Sequence, residues 1–127
     1  MEQASLADVI CDTSFLIHLA TKKIKNIDNI EIEIGQISFV VPETVKNELK
    51  KLYTDYNKKI EVEKTLNFIK NLKTIPISGN YADDALISHI KNHGGIIATM
   101  DKELKNKVKL LGASVITLTN DRIILES

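Results

Sequence analysis

The chain has 127 residues, 43% of them hydrophobic, enough for one domain, residues 1–127, with a real core. Lys plus Arg and Asp plus Glu number 17 each, so no bulk positive field draws the protein to nucleic acid, and any such attraction must come from local patches. The single cysteine excludes an internal disulfide. No charged segment followed by an apolar stretch opens the chain, and no apolar run approaches the roughly 20 residues of a membrane helix. The expectation is a cytoplasmic protein with no membrane partner.

Residues Met1 to Asp8 are polar, and Val9-Ile-Cys11 is a short apolar run of the kind buried on both faces of a sheet. Asp12-Thr13-Ser14 then supplies capping oxygens for a helix through Phe15-Leu-Ile-His-Leu-Ala20. Ile30-Glu-Ile-Glu-Ile34 alternates as a half-exposed strand does, although the same isoleucines allow a short helix. Gln36 to Val41 is a clearer strand, ended by Pro42, and Val45, Leu49 and Leu52 at i, i+4, i+7 predict a helix from about Pro42 to Leu52. Tyr53 to Lys59 reads as a loop, and Val62, Leu66 and Ile69 restore the helical period. Ile75-Pro-Ile77 is a short strand that its proline confines to an edge. A helix from Ala82 ends at Gly94-Gly95, and Ile96-Ile-Ala-Thr99 is a strand. Asp101 can cap a helix with Leu104, Val108 and Leu111 inward and Lys102, Lys105 and Lys109 outward. Ser114 to Leu118 is the last core strand, and Arg122 to Leu125 a candidate edge strand. Strands alternating with helices give an α/β fold, a three-layer α/β/α arrangement around a central, mostly parallel sheet.

Asp12, Asp84 and Asp101 each stand at a helix start, where capping and the helix dipole explain any one of them. Glu48, taken alone, is a solvated helix residue. The joint pattern says more, because three of the four follow apolar runs expected to become neighbouring strands, and so to meet at one edge of the sheet. That edge is where open parallel sheets bind ligands. Clustered carboxylates resist full ionisation unless a cation neutralises them. Magnesium, which takes oxygen ligands and keeps several waters, suits such a set. Its natural use is phosphodiester hydrolysis.

The residues resemble the PIN-domain nucleases. Val9-Ile-Cys-Asp-Thr-Ser14 is similar to that family's first motif, Val41-Pro-Glu-Thr-Val-Lys-Asn-Glu48 to its second, Tyr81-Ala-Asp-Asp-Ala-Leu-Ile87 to its third and Ala98-Thr-Met-Asp-Lys-Glu103 to its fourth. The resemblance spans nearly the whole chain. It implies a PIN-like fold and an endoribonuclease in which Asp12, Glu48, Asp84 and Asp101 bind Mg2+ or Mn2+, with Asp83 and Glu103 as second-tier ligands. Asp84 is preferred to Asp83 because Asp-Ala-Leu-Ile resembles the family's usual run. The double acid and the lysine-rich last helix look closest to the archaeal and eukaryotic subgroup linked to ribosomal RNA processing. RNA is then the substrate. A homodimer, a ribosome-assembly partner and a cognate antitoxin are the protein partners to test, the last if the chain is a toxin ribonuclease. A catalytically silent module that binds RNA or protein is the alternative of another class.

Ser14 and Thr99 can hydrogen-bond a carboxylate or a phosphate, and Lys102, Lys105 and Lys109, with the lysines of Lys46 to Lys51, are candidates for phosphate contacts. Tyr53, Tyr56 and Tyr81 are candidates for base stacking. His89 and His93, at i, i+4, could hold zinc only with a third ligand that the sequence does not place beside them. His18 reads as a packing residue.

Overall fold

The computed structural model describes residues 7–126. One six-stranded sheet runs through them in the order β3-β2-β1-β4-β5-β6. The strands are β1 (Ala7–Cys11), β2 (Ile37–Pro42), β3 (Lys73–Ile75), β4 (Ile96–Ala98), β5 (Ser114–Thr119) and β6 (Arg122–Glu126). The α-helices are α1 (Thr13–Thr21), α2 (Ile30–Glu33), α3 (Glu43–Leu52), α4 (Lys59–Ile69), α5 (Ala82–His93) and α6 (Lys102–Leu110). All neighbouring strands are parallel except β5 and β6. Among the described residues, no helix is long and apolar enough to cross a membrane.

Alternation along the strands builds the three layers. Val9 and Cys11 of β1 join one buried cluster with Phe15 and Leu16 of α1, Val45 and Leu49 of α3, and Val62 and Ile69 of α4. Ile10, between them, joins the other with Leu86 and Ile90 of α5 and Leu104 and Val108 of α6. Val41 and Val40 of β2, Ala98 and Ile97 of β4, and Ile116 and Val115 of β5 divide in the same way. Burial on both faces is why these strands read as continuous apolar runs. Cys11 lies fully buried within β1, and that burial pushes its thiol well above its ordinary pKa.

The sequence left Ile30 to Ile34 open between strand and helix. It forms α2, continuing a 3-10 turn over Ile27–Asn29. A strand is not needed there, because one edge of the sheet is already β3 and the other is β6. Tyr53 to Lys59 also holds a 3-10 turn, Tyr56–Lys58, that runs straight into α4. The edge strand expected at Ile75 to Ile77 is β3, two residues earlier, with Pro76 just past its end. Arg122 to Leu125 does form an edge strand. Asn120 and Asp121, at φ 51° and 60°, make the two-residue turn from β5, a geometry that short polar side chains tolerate.

A buried side chain seals the outer edge of β6. Asn26 is 1% exposed; its Oδ1 accepts from the Ile123 N–H at 2.8 Å and its Nδ2 donates to the Ile123 carbonyl at 2.9 Å. The amide stands in for the missing neighbour strand. His18 is more than a packing residue, since its Nε2 lies 2.7 Å from Asp121 Oδ1 at the turn. Replacing Asn26 by alanine leaves two buried backbone groups of β6 without partners and should cost about 2 to 4 kcal/mol. Arg122→Ala, which removes an exposed ion pair to Glu33, should cost less than about 1 kcal/mol. Urea unfolding of the two variants checks the ranking; equal losses would contradict it.

Candidate active site

The strand order reverses between β1 and β4. From β1 the chain builds the side that holds β2 and β3, then returns to place β4 on the other flank. The helix after β1 packs on one face of the sheet and the helix after β4 on the opposite face, so the carboxyl ends of these two strands open a crevice. Asp12 follows β1 and Asp101 lies just beyond β4. Asp12, Thr13, Ser14, Glu48, Asp83 and Asp101, with Met100, line a cavity of about 430 Å³ there.

Asp12 is the fixed point. Its main-chain N–H donates to the Ala98 carbonyl at 2.9 Å, stitching β1 to β4. Its Oδ1 accepts from the Phe15 N–H at 2.8 Å, capping α1, and from the Ser14 hydroxyl at 3.0 Å. Its Oδ2 accepts from the Thr99 hydroxyl, and Thr99 Oγ1 in turn accepts from the Asp101 N–H at 3.0 Å. Ser14 and Thr99, anticipated as partners of a carboxylate or a phosphate, thus both hold the same carboxylate. With Asp12 only 5% exposed, burial pushes its pKa from 3.8 up to about 6; the hydrogen bonds from Thr99, Phe15 and Ser14 oppose that rise and the charge of Asp83 adds to it.

Asp101 caps α6, its Oδ1 accepting from the Glu103 and Leu104 N–H groups at 2.8 and 3.2 Å. Capping therefore occupies one oxygen of Asp12 and one of Asp101. It accounts for neither Glu48 nor Asp83. Glu48, half-buried on α3, reaches the cavity from the other side. Asp83 is raised above its ordinary pKa by loss of solvent and by the charges of Asp101, Asp84 and Glu103, with Lys107 pulling the other way.

The structure differs from the sequence expectation at Asp84: Asp83 lines the cavity and Asp84 does not. Helical phase explains this. Ala82, Leu86 and Ile90 are the buried residues of α5; at about 100° per residue, Asp83 sits roughly 60° from the centre of that face and Asp84 roughly 160° away. The periodicity needed to choose between them was in the sequence, but the family-like run Asp-Ala-Leu-Ile pointed to the other acid. Glu103 lies outside the cavity lining and pairs with Lys107 at 3.2 Å, one turn along α6.

The lysines of α6 are engaged elsewhere. Lys105 and Lys109 reach Glu126 of β6 at 3.4 and 2.9 Å, and Lys109 and Lys105 hold the Glu126 carboxyl below its ordinary pKa. Lys102 is exposed and outside the cavity lining. His89 and His93 stack with ring centroids 4.7 Å apart. They line a separate, largely apolar cavity with Ile10, Ile75 and Ile77.

Among the described residues, no three His, Cys, Asp or Glu side chains are already arranged to hold a metal ion. The chemistry of the cavity nevertheless fits a hard cation. The charge of Asp83 raises the pKa of Asp12 and that of Asp101 raises the pKa of Asp83, and every polar side chain on its wall offers oxygen. Thr13, which sequence reasoning passed over as a capping residue, adds to the cavity wall a buried hydroxyl with no hydrogen-bond partner among the described residues. Glu48 is half-buried and Asp83 and Asp101 are exposed, so their side chains can turn inward without disturbing the core.

Residues 9–121 match the family described as PIN like domain. The chain is 35% identical over 106 residues to Ribonuclease VapC4 of Methanocaldococcus jannaschii, covering 79% of this chain and 81% of that protein. It is 28% identical over 115 residues to Ribonuclease VapC9 of Archaeoglobus fulgidus, covering 89% and 84%. In structure it is similar to the PIN domain endonuclease Utp24, with a TM-score of 0.76, 25% identity and coverage of 94% of this chain and 90% of that one. A domain of a functionally unknown protein from M. jannaschii shares the fold at a TM-score of 0.59 and 19% identity, covering 89% and 91%.

The raised pKa of Asp12 has a sign that stability measurements can read. The folded state holds this proton more tightly than the unfolded chain, so no cost arises below about pH 4. As pH rises through about 6, ionising the buried carboxyl without a cation costs on the order of 3 kcal/mol. In chelator, Asp12→Asn should therefore gain stability relative to the wild type between pH 4 and pH 7.5. Urea unfolding at the two pH values checks this; a difference independent of pH would contradict it.

Proposed function

The chain belongs to the PIN-like domain family, and on that premise we propose that it is a metal-dependent endoribonuclease using Asp12, Glu48, Asp83 and Asp101. The observation that carries the proposal is the meeting of these four acids in one cavity at the β1–β4 crevice. Relatives named as ribonucleases support RNA as the substrate, and a structural neighbour named as an endonuclease supports internal cleavage.

The four carboxylates would hold Mg2+ or Mn2+, which supplies charge neutralisation and a more acidic water for attack on a phosphodiester. The chain's own residues do the rest. Thr99 and Ser14 fix the Asp12 carboxylate so that it meets the substrate already oriented. Asp101, which lines the cavity with Oδ1 engaged at the start of α6, is the group to accept a proton from attacking water.

The finer setting we propose is ribosomal RNA processing, supported by the double acid Asp83-Asp84 and by the likeness to the Utp24 endonuclease. A toxin ribonuclease held by an antitoxin is the second reading, supported by the 35% identity to VapC4. Growth arrest when the chain is expressed alone, abolished by Asp83→Asn, would select the second.

Cleavage of a labelled RNA with Mn2+ tests the chemistry. Asp83→Asn should lower the rate on the order of a hundredfold or more, whereas Asp84→Asn should stay near wild type. The opposite ranking would return the ligand role to Asp84, and undiminished cleavage by both variants would overturn the site.

A further inference from the structure

A second, wider groove of about 860 Å³ opens beside the acidic cavity and shares Glu48 and Asp83 with it. Its walls are α3, which contributes Lys50 and Lys51, and the segment entering α5, which contributes Asn80 and Tyr81. That segment is tied down. The Thr44 N–H donates to the Ile77 carbonyl at 2.9 Å and the Thr44 hydroxyl to the Gly79 carbonyl at 3.2 Å. At Gly79, φ is +155° and a Cβ would lie 3.2 Å from the Ala85 Cβ, so the backbone passes α5 closely enough that a side chain there would crowd it. The groove is a preformed wall.

Its charge is uncommitted. Among the described residues neither Lys50 nor Lys51 pairs with a carboxylate, whereas Lys105 and Lys109 are held by Glu126 and Lys107 by Glu103. Tyr81 is 73% exposed and stands two residues before Asp83. Of the other tyrosines, Tyr53 has Lys59 over its ring at 5.3 Å, and Tyr56 lies on neither cavity.

From this we infer that the groove carries a single strand of RNA into the acidic site, with Lys50 and Lys51 on its phosphates and Tyr81 stacked on the base next to the bond to be cut. The inference rests on the ribonuclease reading. A single strand is favoured over a duplex because an exposed ring on a groove wall can stack only on a base that has left its helix. Lys105 and Lys109 of α6, which the sequence also offered for phosphate contacts, are committed to Glu126 and leave α3 as the inferred path.

Binding of a fluorescent single-stranded 12-nucleotide RNA, measured by anisotropy in chelator so that no cleavage occurs, tests this. Lys50→Gln combined with Lys51→Gln should weaken binding and reduce the salt slope by about 0.7 for each lysine, while Lys105→Gln with Lys109→Gln should leave the slope unchanged. Tyr81→Ala should weaken binding about five- to a hundredfold with no change in slope, and Tyr81→Phe should restore it. All these residues are at the surface or only half-buried, so the variants should fold. The groove is overturned if the wild type binds RNA but the first pair and Tyr81→Ala do not alter binding, or if the slope moves only with the α6 pair. Tighter binding of a duplex of the same sequence overturns the single strand. Absence of any RNA binding by the wild type overturns the ribonuclease reading itself.

Discussion

The rest of the site depends on keeping the Asp12 carboxylate inside the protein. Burial alone would neutralise it. Two hydroxyls and one main-chain N–H therefore hold its two oxygens, and even so its pKa stays near 6. The same contacts make the architecture. The Phe15 N–H starts α1, and Thr99, by accepting from Asp101, sets the turn from β4 into α6. One carboxylate thus fixes the ends of the two central strands and the starts of two helices on opposite faces. That crevice exists because the order of the sheet reverses there.

Around this buried acid the other three lie nearer the surface. Two are exposed and one is half-buried, which is economical for a site that must gather around a cation and release it. Their mutual repulsion is unrelieved by any lysine on the cavity wall. Positive charge is instead divided between helices. On α6 it is spent on Glu126 and Glu103, bracing the antiparallel edge of the sheet, and on α3 it remains available beside Glu48. A chain of zero formal charge can thereby present a cationic approach to an anionic centre.

Much of this was legible in the sequence, for physical reasons. Strands buried on both faces show as unbroken apolar runs, and acids placed directly after such runs must fall on one edge of a parallel sheet. Asp12 and Asp101 were singled out in that way, and Glu48 by motif likeness. Asp83 was ranked below Asp84 although the burial phase of α5 favours it, because motif likeness was weighed above periodicity. The ion pairs of Lys105 and Lys109 on α6 could not be read in advance. Their partner, Glu126, lies on a strand that pairs only through long-range structure. The role of Asn26, which closes an edge across 97 positions of sequence, and the isolation of the Thr13 hydroxyl are likewise products of tertiary packing. Ile30 to Ile34 carried a pattern that fits two periods, and the segment continues the 3-10 turn over Ile27–Asn29 as helix.

The central claim is that these acids form one divalent-cation site built by the fold. Melting curves at pH 7.5, from chelator through increasing Mn2+, test it without any RNA. A ligand bound only by the folded state raises stability by about 2.7 kcal/mol at a hundredfold excess over its Kd. The wild type should melt at progressively higher temperature as Mn2+ is added, Asp84→Asn should follow it, and Asp12→Asn and Asp83→Asn should respond little. No rise in the wild type, or the same rise in all four proteins, would contradict the account.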